Sequence, residues 1–147
     1  MATKVPHIPG GFHTVTPYLT VKDAARLMQF LQEAFEAEES YRATAPEGGI
    51  MHAQMRIGDS MIELSDSNEQ WPPMTAALHI YVPDTDAVFA RAVRAGATPL
   101  FEPADMAYGE RSGGVRDPVG NNWYIATRTE KFTGYEAGHD TGGGAAP

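Results

Sequence analysis

Glu63 is the carboxylate of greatest chemical interest in this chain. It lies in Ser60-Met-Ile-Glu-Leu-Ser65, whose alternation reads as a strand. A carboxylate placed there can serve as a general base or draw in a cation. His52 and His79 fall on two further strand-like stretches, and imidazoles titrating near neutrality suit proton transfer or ligand contact. Glu63 and His79 are the candidates for catalysis. Tyr18, Tyr81, Tyr108 and Tyr124 supply ring faces on which a planar or cationic compound can stack. Arg111, within Tyr108-Gly-Glu-Arg-Ser-Gly-Gly114, carries the paired donors that grip a carboxylate or phosphate. Its competing role is an ion pair to Asp105 or Asp117 that pins the loop. The glycines of this stretch do not make a phosphate cradle, because no lysine-serine pair follows and no helix opens there. His7, His13 and His139 lie in or near the termini and receive no role.

These residues need elements to hold them, and the pattern of elements occurs twice. Thr14 to Val21 alternates as a strand, and Asp23 is placed to cap a helix. Ala24, Leu27, Met28, Leu31, Ala34 and Phe35 then form one apolar stripe at helical spacing. Strands follow at Glu39 to Thr44, Ile50 to Ile57 and Ser60 to Ser65, with Gly58-Asp59 as a hairpin turn. Val82-Pro-Asp84 repeats the Val21-Lys-Asp23 signal and opens a second helix built on Val88, Phe89, Ala92 and Val93. Thr98 to Glu102 reads as a strand, Pro103 to Gly113 as a loop, and Gly114 to Arg116 with Asn122 to Thr127 as a closing hairpin. Trp123 alternates with Tyr124, so the two side chains face opposite sides of the strand. The expected organisation is an irregular arm (1–12), a first module (13–67), a linker (68–75), a second module (76–130) and a flexible tail (131–147).

Composition sets outer bounds. The 147 residues include no cysteine, which excludes disulfides and thiolate catalysis. Nineteen acids against eleven Lys and Arg give a formal charge of -8, which argues against a nucleic-acid partner. No apolar run approaches the roughly 18 residues of a membrane span, so no membrane partner is expected. Without a signal-peptide core at the N-terminus, a cytoplasmic protein is expected.

Three segments carry a resemblance: Thr16-Pro-Tyr-Leu-Thr-Val-Lys-Asp-Ala24, His52-Ala-Gln-Met-Arg-Ile-Gly-Asp-Ser60, and Tyr108-Gly-Glu-Arg111 running into Asp117-Pro-Val-Gly120. With them the chain resembles the vicinal oxygen chelate superfamily, the glyoxalase and bleomycin-resistance fold, and its PhnB-like branch. The resemblance implies an α+β fold of two βαβββ modules whose mixed sheets curve around a shared cleft, and often a homodimer. Whether modules pair within one chain or across two is left open. Metal-dependent relatives place ligands at positions matching Thr16, Glu63, Ala77 and Tyr124. Only Glu63 is a competent donor among these, and stable sites need three or four. No cofactor is therefore expected; a divalent metal on a site rebuilt from Glu63, His79 and His52 is the less favoured alternative.

The expected function is metal-independent binding of an aromatic or cationic small molecule. Its contacts would be Tyr18, His52, Glu63, His79, Tyr81, Tyr108, Arg111 and Tyr124. The alternative is an enzyme, lyase, isomerase or dioxygenase-like, using Glu63 with His79 as acid and base or as that rebuilt metal site. A scaffold kept for dimerisation is the third reading.

Overall fold

The computed structural model describes residues 4–129. The tail expected from residue 131 lies outside them. The first module runs β1 (Tyr18–Val21), α1 (Ala24–Phe35), β2 (Glu38–Thr44), β3 (Ile50–Ile57) and β4 (Ser60–Asp66). The second repeats it with β5 (Ala77–Tyr81), α2 (Thr85–Arg94), β6 (Thr98–Met106), β7 (Glu110–Arg116) and β8 (Asn122–Arg128). The sheets are ordered β1-β4-β3-β2 and β5-β8-β7-β6, with the first strand of each parallel to the last and the other pairings antiparallel. The duplicated α+β fold expected from the pattern is present. Among the described residues, the outer edges of β1 and β5 pair with no other strand.

Both helices begin as the sequence indicates. The Asp23 side chain accepts from the Arg26 N–H at 3.0 Å and Asp84 from the Ala87 N–H at 3.1 Å, satisfying donors that a helix leaves unpaired. The stripe of α1 is buried over Leu27, Met28, Leu31 and Ala34 against β3 and β4. Each large apolar side chain so buried contributes roughly 1.5–3 kcal/mol. Gly96 has φ +114° just past the end of α2, the left-handed position that glycine takes without strain.

The first strand of each module is tied to its helix from behind by the last strand. In the first module the Asp66 carboxylate accepts from the Ala24 N–H at 2.8 Å and the Ile50 N–H at 2.7 Å. In the second, the Thr127 hydroxyl donates to the Val82 carbonyl at 2.7 Å and pairs with the Thr85 hydroxyl at 2.8 Å. Thus one residue beyond the core of the last strand does the same task in both halves, by different chemistry.

The modules meet helix to helix. Arg26 of α1 donates to the Ala95 carbonyl at the end of α2 (2.7 Å), and Arg91 of α2 donates to the Ala34 carbonyl near the end of α1 (2.9 Å). Each arginine thus lies at the negative end of the other helix's dipole, which adds to the favourable charge arrangement. Between them Phe35 packs on Trp123 with ring centroids 4.9 Å apart, so a single apolar core crosses the module boundary. Trp123 is 2% exposed, on the side of β8 opposite Tyr124.

Two elements differ from the sequence reading. β1 starts at Tyr18 rather than Thr14: the Pro17 carbonyl still accepts from the Glu63 N–H at 2.9 Å, but a proline has no N–H with which to extend the ladder. The segment read as a loop from Pro103 to Gly113 is mostly strand, with only the turn around Ala107–Gly109 between β6 and β7. β6 is an edge strand with register irregularities between Pro99 and Phe101 and between Phe101 and Ala104, so Pro103 is carried without breaking the sheet.

Candidate functional site

With the helices inside, each sheet presents its other face outward. Register builds the same row across both. In the first module the row is Tyr18, Glu63, Gln54 and Tyr41; in the second it is His79, Tyr124, Gly114 and Phe101. Glu63 and Tyr124 therefore occupy equivalent places, as do Tyr18 and His79.

On the first face the structure brings together three residues singled out from sequence. The Tyr18 hydroxyl lies 3.3 Å from His52 Nδ1, and His52 Nε2 lies 3.6 Å from Glu63 Oε1. Gln54 Nε2 is 3.5 Å from both Glu63 Oε1 and His52 Nε2, and the Tyr41 ring stands 6.0 Å from the imidazole. Gln54 and Tyr41 were missed from sequence; the signal that finds them is their cross-strand place beside Glu63. The result is an aromatic-walled face with a carboxylate whose ionic neighbour is a histidine.

The second face repeats the theme with other residues. His79 Nε2 lies 3.5 Å from Glu110 Oε1, and the Tyr81 ring is 4.5 Å from the imidazole. Phe101 stacks on Tyr124 at 6.3 Å. Glu110 and Phe101 were also missed, because Glu110 was assigned to the loop. His79 is thus paired with Glu110, not with Glu63, and the proposed Glu63–His79 couple is not assembled within one chain.

Gly114 makes the aromatic shelf possible. A Cβ there would collide with the Phe101 ring, which lies across the sheet where the equivalent Gln54 projects a side chain. Gly114→Ala is expected to push Phe101 off Tyr124 while costing less than about 1 kcal/mol, since Phe101 can swing into solvent. Gly113→Ala, facing the core, would meet Phe89 at 3.0 Å and the Pro103 nitrogen at 3.2 Å, and is expected to cost about 1–3 kcal/mol. Urea denaturation of both variants, with NMR of the Phe101 ring, separates the two effects.

Arg111 is not in a loop. It sits in β7, where its guanidinium forms a two-pronged ion pair with Asp86 at the start of α2, Nη2 to Oδ1 being 2.9 Å, and reaches Asp105 at 3.3 Å. Of its two expected ion-pair partners only Asp105 is used. Asp117 instead accepts from the Val119 and Asn121 N–H groups and from Trp123 Nε1. Tyr108 lies in the β6–β7 turn. The hydrogen bond from Arg111 holds the Asp86 carboxyl below its ordinary value of 3.8, and Asp86, then Asp105, raises the guanidinium further. A carboxylate with a depressed folded-state pKa stabilises the fold above its unfolded pKa, and that contribution fades as pH falls through the folded value. Asp86→Asn should therefore be less stable than the parent at neutral pH. The gap should close on acidification below the ordinary carboxylate value; a gap independent of pH in urea titrations would contradict this role.

The four positions used by metal-dependent relatives hold Thr16, Glu63, Ala77 and Tyr124. One carboxylate with an alanine and a phenol does not make a divalent site, and the described residues contain no group of three His, Cys, Asp or Glu able to hold an ion. The rebuilt set of Glu63, His79 and His52 is divided between two faces. Within one chain these donors do not make a metal site.

Two cavities adjoin these faces. The larger, about 630 Å³, runs along the open edge of β5 between the modules; Phe35, Ile62, Leu78 and Trp123 line its apolar part, and Arg56 and Arg91 its charged rim. The smaller, about 330 Å³, lies between the N-terminal arm and the first sheet and includes Gln54 and Glu63. No helix among the described residues is long and apolar enough to cross a membrane.

A duplicated βαβββ chain with outward aromatic and acidic faces defines a class of paired-module proteins. The chain belongs to the Glyoxalase/Bleomycin resistance protein/Dioxygenase superfamily, which it matches over residues 11–125. It is 36% identical over 124 residues to the uncharacterized protein Mb0911c of Mycobacterium bovis, covering 76% of this chain and 80% of that one. Among solved structures it is similar to TioX from Micromonospora sp. ML1, at 24% identity and TM-score 0.69, covering 79% of this chain and 98% of that one. It is also similar to a PhnB protein from Bacillus cereus, at 17% identity and TM-score 0.61, covering 78% and 99%. These structural likenesses speak for the fold alone.

Proposed function

We propose that this protein is a metal-independent small-molecule binding protein whose complete cleft forms between two copies, the first face of one meeting the second face of the other. The carrying observation is that both faces bear aromatic rings around a carboxylate–histidine pair and point away from a helix-packed centre. A planar aromatic cation suits such a space: Tyr18, Tyr41, Phe101 and Tyr124 offer stacking surface, and Glu63 and Glu110 offer negative charge. The open edge of β5 supports pairing of a second copy there, since an unpaired edge is a template for another strand; the edge of β1 is partly taken, the Thr20 carbonyl accepting from the Met74 N–H at 3.0 Å.

Proflavine, a planar aromatic cation, is the probe. Saturable quenching of its fluorescence by the purified protein is expected, with loss of binding in Glu63→Gln. Sedimentation should find a species of twice 15.9 kDa. A strictly monomeric protein that still binds the probe would overturn the two-copy cleft.

A second reading has one specific observation behind it. Tyr18, His52 and Glu63 stand in a line suited to passing a proton, which favours acid–base catalysis by Glu63 with His52 in place of His79.

A further inference from the structure

The N-terminal arm supplies a feature that neither the repeat nor the two sheet faces account for. It turns back at Pro9 to Phe12, where the Phe12 N–H donates to the Pro9 carbonyl at 3.0 Å and Gly11 takes φ +85°. It is anchored where the Glu63 N–H donates to the Pro17 carbonyl at 2.9 Å. Between these points the arm leans over the first sheet and borders an open pocket of about 330 Å³. His7, Ile8, Phe12 and Thr16 form its wall, and Gln54 and Glu63 its floor. Ile8, Phe12 and Thr16 are the half-buried residues of an otherwise exposed segment, so the arm has an inner side.

We propose that this pocket is a subsite for a small organic ammonium group, the cationic head of the ligand, with the arm as its second wall. The inference rests on the reading that Glu63 faces a ligand. The polar lining is one carboxylate, Glu63, with Gln54, the Thr14 and Thr16 hydroxyls and the imidazoles of His7 and His13, and it contains no lysine or arginine. An alkylammonium carries three donors and one positive charge, which matches that set. Phe12 adds an aromatic wall of the kind that attracts cations. A metal ion is the poorer match because no three His, Cys, Asp or Glu side chains among the described residues are grouped to hold one. The volume admits a benzylamine-sized head and leaves the rest of a larger ligand on the open sheet face.

The test uses benzylamine, with benzyl alcohol as its uncharged counterpart, titrated into the full chain at neutral pH and followed by amide NMR. The expected result is saturable binding of benzylamine, with shifts on arm residues as well as around Glu63, and no saturation with benzyl alcohol. Phe12→Ala should weaken benzylamine by roughly fivefold, and Glu63→Gln should abolish it. If Phe12→Ala proves unstable, Ile8→Ser carries the same expectation. Equal binding of benzyl alcohol, or binding indifferent to both arm substitutions, would overturn the proposal. Tyr124→Ala separates it from the two-copy cleft: that substitution should remove proflavine binding and leave benzylamine untouched.

Discussion

Replacing Trp123 with alanine is expected to lower the free energy of unfolding by about 3–5 kcal/mol. Three losses combine there. The indole is 2% exposed and packs on Phe35 of the other module, so its removal opens a void at the seam between modules. Its Nε1 also donates to Asp117 Oδ2 at 2.8 Å, and a buried carboxylate oxygen would be left without that donor. Asp117 in turn holds the Asp117-Pro-Val-Gly120 turn through the Val119 and Asn121 N–H groups, so the β7–β8 hairpin should loosen as well. Against a total stability of about 5–15 kcal/mol for a domain of this kind, that change leaves the chain marginal. Trp123→Phe keeps most of the volume and gives up the hydrogen bond, and should cost about 1–3 kcal/mol. Urea denaturation followed by circular dichroism reads both. A cost for Trp123→Ala below about 1 kcal/mol would mean that the two modules do not share one cooperative core.

The second large effect is a rescue by mixing. Glu63→Gln disables the first face and Tyr124→Ala the second, so neither variant alone should bind proflavine. If a cleft takes its two walls from different copies, a mixed dimer places both lesions in one cleft and leaves the other intact. Equal mixing with free exchange should then restore roughly a quarter of the parent's binding sites, as two-fold symmetry requires. A cleft formed within a single chain would give no restoration at any ratio. Titration of proflavine against the two variants, apart and after incubation together, distinguishes these outcomes.

Much of the architecture was legible because it depends on short-range rules. Asp23 and Asp84 cap the helices, the apolar stripe of α1 faces the sheet, and Gly58 turns the β3–β4 hairpin, all readable from spacing. The reach of β6 was not legible, because Pro103 normally marks a break and is tolerated here only by an edge strand with irregular register. The packing of α1 on α2 was not legible either: a stripe tells which side of a helix is apolar but not what covers it. At the site, Glu63, Tyr18 and His52 were each singled out by residue type on a strand-like stretch, but the sequence joined Glu63 to His79, and the grouping with Tyr18 came from strand register. Glu110, Phe101, Gln54 and Tyr41 needed the strand register, which long-range pairing sets. Arg111 was separated from the site by Asp86, a helix residue 25 positions away in sequence, and no local pattern encodes that pairing.

The unpaired margin of β5 has a bearing on the life of a newly made chain. A freshly made copy displays a bare run of peptide groups beside an apolar hollow, an invitation to any extended segment in the vicinity. Its surplus of negative charge slows indiscriminate sticking among identical copies. Guarding that margin and displaying the aromatic face thus fall to the same few strands, so substitutions on that face also alter how safely a lone copy matures.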